Sequence, residues 1–171
     1  MTDKRSIGSR IFILADQYNI EQVRVSSIIS SYISLCRDLI VDGFEVTFSG
    51  LVTVVPESNN VRYKTTLAYQ CKKVAESCGI SYHTVFAIIK GYLVFLKEDV
   101  MSGVSVDIRG IVSLHPILSD GIVTKVHSSI SASIKRDIEL RKGYSTNVRV
   151  HTHKVLKRSI KGNIINQEVL A

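Results

Sequence analysis

Two histidines, His151 and His153, stand two residues apart in the segment VRVHTH. On an extended strand that spacing puts both imidazoles on one face, where they could share a metal ion. No third ligand accompanies them, so they read as exposed polar positions on an edge strand, and no metal is expected. The three cysteines, Cys36, Cys71 and Cys78, form no C-x-x-C pair. Cys36 lies in an apolar stripe and reads as core; Cys71 and Cys78 share a helical face, but two thiols alone do not hold zinc. Asp38 and Glu98 read as solvated helix positions, and His83, His115 and His127 each stand alone. Neither a Gly-rich phosphate loop nor a nucleophile elbow is present. The expectation is a non-enzyme, with no catalytic residues, no cofactor and no small-molecule substrate.

Charge is the second chemical signal. Residues 1–120 carry 12 basic and 12 acidic side chains, whereas residues 121–171 carry 10 basic against 3 acidic, so the whole net charge of +7 lies in the last third. The basic residues there are Lys125, Lys135, Arg136, Arg141, Lys142, Arg149, Lys154, Lys157, Arg158 and Lys161. Together they form a candidate contact for nucleic acid or an acidic protein surface.

The elements that must carry these residues are visible in a repeat of 60 residues without a gap. Ala15, Ile20, Val25, Ile28, Ile29, Tyr32, Gly43, Val46, Gly50, Val52 and Pro56 recur as Ala75, Ile80, Val85, Ile88, Ile89, Tyr92, Gly103, Val106, Gly110, Val112 and Pro116. Each copy opens with a short helical segment that breaks at Asn19 or Gly79. A longer amphipathic helix follows, with apolar residues at i, i+3, i+4 and i+7 from Val25 and from Val85; Ser81 is a natural N-cap for the second. Gly43 and Gly103 are placed to end these helices as left-handed C′ residues. Alternating strands come next, interrupted at Gly50 and Gly110 by tight turns or bulges. Tyr32 and Tyr92 are expected to pack between helices. The chain therefore divides into a first unit, 1–66, and a second unit, 67–171.

After Pro56 and Pro116 the copies diverge. The first continues through ESNN into VRYKTTL, a short extended stretch. The second carries an insert, 117–147, before its next strand at Val148 to His153. Ile130, Ala132 and Ile134 alternate in it, which could extend the hairpin into a long arm; an extra sheet or a partly helical insert over 121–147 fits the residues as well. The tail from Lys154 to Ile160 is expected to form a short final helix. No apolar run reaches the length of about 18 residues that a membrane span needs, and the start MTDKRSIGSR has no signal-peptide core.

Helix–helix–glycine–strand–glycine–strand, carried by DLIVDGFEVTFSGLVTV and EDVMSGVSVDIRGIVSL, resembles the HU/IHF family of histone-like proteins. The resemblance implies an α+β fold of two tandem HU/IHF-like units, each helix–helix–β-hairpin. The second has a longer β-arm or insert and a short C-terminal helix. That family bends DNA with basic arms whose R-N-P tips wedge between base pairs. Here the only prolines are Pro56 and Pro116, at strand ends, so intercalation is not expected.

Two functions are implied. The chain is similar to the HU/IHF-like proteins that form rings in the connector and tail of crAss-like phage virions. On that likeness it is a ring-forming virion protein, made in the host bacterial cytoplasm, contacting copies of itself and neighbouring virion proteins without a membrane. The alternative is an architectural protein that binds double-stranded DNA as a single-chain pseudo-dimer. On the first reading the 117–147 insert contacts a neighbour, and a chain lacking 121–147 should stay soluble but fail to assemble.

Overall fold

The computed structural model describes residues 7–57, 63–143 and 147–170. It is a mixed α+β fold, and its described elements repeat helix–helix–strand–strand. In the first half α1 (Ile7–Tyr18) and α2 (Gln22–Val41) lead to β1 (Phe44–Phe48), β2 (Val52–Pro56) and β3 (Tyr63–Thr65). In the second, α3 (Leu67–Cys78) and α4 (Tyr82–Met101) lead to β4 (Val106–Ile108), β5 (Val112–Ser119) and β6 (Ile122–Ile130). Then come α5 (Ala132–Lys142), β7 (Val148–Thr152) and α6 (Lys154–Leu170).

The glycines act where the repeat places them. Gly43, Gly50, Gly103 and Gly110 take φ of 97°, 81°, 86° and 73°, a region that a β-carbon disfavours. Leu51 N–H donates to Phe48 O, and Ile111 N–H donates to Ile108 O, both at 2.9 Å, so the two turns match bond for bond. Asn19 and Gly79 likewise both adopt positive φ at the helix–helix corners. Ser81 Oγ accepts from Thr84 N–H at 3.3 Å, capping α4.

The halves interlock about one core. Helix α1 packs on α4, α3 on α2, and α2 on α4. Arg37 on α2 reaches the second turn, where its Nη1 donates to Gly110 O at 2.5 Å. Its repeat partner Lys97 reaches the first turn, with Cδ 3.7 Å from where a Gly50 β-carbon would lie. The same helix position in each half thus faces the other half's hairpin turn. Tyr32, Val25, Ile28, Val85 and Ile88 are fully buried at the centre, and Tyr92 is buried beside them. The α3–α4 pair is apolar overall, but no single described helix is long and apolar enough to cross a membrane.

Three features settle or correct the sequence expectations, the first by making the insert part strand and part helix. The alternation through Ile130, Ala132 and Ile134 does not lengthen an arm, because the strand stops at Ile130 and α5 begins. Ile134 and Ile138, four apart, are buried on α2, and a helix satisfies that spacing where a strand cannot. The hairpin itself closes at Asp120–Gly121 with positive φ at both residues. Ser119 pairs Ile122 across it, the geometry of a two-residue primed turn. The final helix is not short: α6 runs 17 residues to Leu170. Finally, β7 joins the sheet of the first half. The sheet orders are β3-β1-β2-β7 and β4-β5-β6, with Val150 opposite Val54 and Thr152 opposite Val52. A strand from the end of the chain therefore completes a sheet begun 100 residues earlier.

Candidate polyanion and assembly surfaces

All ten basic residues singled out in the last third are exposed, and they are spread over four elements, β6, α5, β7 and α6. Lys135, Arg136, Arg141 and Lys142 ride on α5, against α2. There Arg141 pairs with Asp38 at 3.3 Å and with Asp42 at 3.4 Å, while Arg37 pairs with Asp137. On β7, Arg149 Nε meets Glu57 Oε1 at 2.5 Å. These contacts partly neutralise the α5 and β7 groups.

The remaining cations are organised by α6. Lys154, Lys157, Arg158 and Lys161 fall at i, i+3, i+4 and i+7, one outward stripe. Leu156, fully buried, and Ile160, half-buried, hold the opposite face to the body. Lys125 lies on β6, the strand on which α6 packs. The α6 row of charge is what an extended anion or an acidic surface would meet.

The outward stripe then changes character. Continuing from Lys161 by four residues at a time gives Ile165 and Val169, which are 47 % and 77 % exposed. Exposed apolar side chains also lie at the α1–α2 corner, with Phe12 and Val23 at 57 % and 78 %. Two grooves flank it. One, of about 410 Å³, is lined by Phe12, Asp16, Ile20 and Glu21 among others. Its neighbour, of about 510 Å³, includes Ile11, Val23 and Ser26.

The histidines are distributed differently from the sequence reading. His151 is exposed on β7, while His153 lies beyond the strand's end and serves as the residue before α6. Its Nδ1 accepts from Val155 N–H at 3.3 Å, so the ring proton belongs on Nε2. Sequence spacing missed another pair: His115 and His127 stand directly opposite across β5 and β6. No group of three metal-ligating side chains occurs among the described residues. The cysteines are separate free thiols. Burial pushes Cys36 up to about 12 and Cys71 up to about 11, so both stay protonated and poorly nucleophilic near neutrality.

Partial burial, then the charge of Lys154, lowers the His153 pKa below its ordinary 6.5. Neutral His153 is the form that accepts the Val155 N–H, so its contribution is present above about pH 6.5 and lost as pH falls through the lowered value. Helical signal and stability should therefore decline on acidification below pH 6.5, and His153→Asn should flatten that decline. Equal pH profiles for both proteins in circular-dichroism melts would contradict this role.

Comparison with known protein families, curated proteins and solved structures finds no match.

Proposed function

We propose that the protein is a non-enzymatic structural component of a phage virion, a ring-forming part of the portal or tail connector built on a tandem HU/IHF-like fold. The observation that carries this reading is that the two halves are equivalent inside and inequivalent outside. Core positions repeat: Val25 with Val85, Ile28 with Ile88, and Tyr32 with Tyr92, all buried. The exposed apolar positions of α1 and α2 do not, since Phe12, Ile13 and Val23 correspond at +60 to Lys72, Lys73 and His83. A two-fold body with equivalent outer faces would favour closed, self-complementary pairs. Breaking the equivalence supplies distinct faces, as head-to-tail assembly into rings requires. Virion localisation follows from the resemblance and belongs to the same proposal.

The α6 stripe supports a second reading, an HU/IHF-like architectural DNA-binding protein. Sedimentation of the full chain at about 50 and 200 mM salt, with and without duplex DNA, separates the two. Assembly predicts a DNA-free oligomer that survives the higher salt. DNA binding predicts complexes confined to low salt and no oligomer alone. On that second reading, reversing Lys154, Lys157, Arg158 and Lys161 to Glu removes four phosphate contacts. The slope of log affinity against log salt should then fall by roughly 3.6; an unchanged slope would remove α6 from any DNA contact.

A further inference from the structure

We infer that α6 of one copy docks, outer face first, into the grooves at the α1–α2 corner of a second copy of this chain. This rests on the assembly reading and names its contact. Three observations converge. First, the outer stripe of α6 is basic over Lys154, Lys157, Arg158 and Lys161 and apolar at Ile165 and Val169. Second, the α1–α2 corner offers the complement, with apolar Phe12, Ile20 and Val23 beside the exposed carboxylates of Asp16 and Glu21, which outweigh the single exposed cation there, Arg24. Apolar contact would supply the driving force, and the opposite charges would set the direction of the helix. Third, each surface occurs once per chain. The quasi-equivalent corner has Lys72 and Lys73 in place of Phe12 and Ile13, and its one carboxylate, Glu76, already pairs with Lys73 at 3.4 Å, so it offers α6 neither the apolar nor the acidic complement.

The stoichiometry follows from that third point. One knob and one distinct groove per chain can be satisfied head-to-tail, which closes into a ring or runs on as a filament, or by a reciprocal two-fold pair; the assembly reading selects the head-to-tail contact. Within one chain the outer residues Ile165 and Val169 remain exposed, as do Phe12 and Val23, so the fold itself leaves both partners uncovered. A 17-residue helix is about 25 Å long, enough to lie across both grooves.

The test uses the full chain. In sedimentation, Ile165→Asp with Val169→Asp should raise the concentration for half-assembly at least tenfold with an unchanged melting temperature, because both residues are exposed. In a Cys78→Ser background, one chain carrying Val23→Cys and another carrying Val169→Cys are mixed under mild oxidation. The contact predicts a crossed disulfide adduct that neither chain forms alone. An oligomer that ignores the aspartates and gives no crossed adduct overturns this contact and leaves the assembly reading standing. A wild-type chain that stays monomeric up to about 100 µM overturns both.

Discussion

Replacing Asp99 with Leu should destabilise the protein by about 3–5 kcal/mol, and adding Arg10→Gln should recover most of that loss. Arg10 on α1 and Asp99 on α4 form a buried ion pair, with side chains only 7 % and 9 % exposed. The guanidinium also lies 5.2 Å from the Phe95 ring centroid. Arg10 Nε and Nη1 have no hydrogen-bond partner among the described residues, so the carboxylate is the main compensation for a charge held out of water. Removing it alone leaves that charge buried. The repeat shows what an uncharged solution looks like: the positions equivalent to 10 and 99 are Gln70 and Leu39, both buried without an ion pair. The variant Arg10→Gln, Asp99→Leu copies that arrangement. It should lie within about 1–2 kcal/mol of the wild type. Urea unfolding of the two single variants and the double measures the coupling. A double variant as unstable as Asp99→Leu alone would show that the two sites are not interchangeable.

The second large effect concerns α5. Ile134→Ala and Ile138→Ala should each cost about 2–5 kcal/mol, since both side chains are buried on α2. Together they approach the whole stability of an ordinary domain, about 5–15 kcal/mol. Deleting 121–147 goes further, because it also removes buried Val123 and the strand β6 against which α6 packs. That chain should fail to fold, in contrast to the soluble, assembly-incompetent body expected from the sequence. The reason is that α5 is part of the core. A well-folded deletion protein, with dispersed amide resonances and a cooperative melt, would place the segment outside the core after all.

The helical signal for α5 was in the residues. Ser131 precedes it, Gly143 follows it at φ 75°, and Ile134 and Ile138 are four apart. The alternation of Ile130, Ala132 and Ile134 competes with that signal over the same stretch, and a short apolar run fits either period. The turn at Asp120–Gly121 was also legible, since Asp-Gly between apolar residues is a strong hairpin marker. The His115–His127 pair was not legible, because its register depends on where that hairpin closes.

Local physics in the sequence by itself determined the repeated elements. The helices α2 and α4 follow from a 3.6-residue period, their ends and the hairpin turns from glycines free to take positive φ, and the charge asymmetry from composition. Each depends on residues a few positions apart. Tertiary structure alone decided which elements meet: β7 beside β2, α5 on α2, Arg10 against Asp99, and the basic stripe of α6 facing outward. Periodicity states that a face is apolar without naming the partner that covers it. That choice rests on which distant surfaces bury the most apolar area together and leave the fewest charges unpaired.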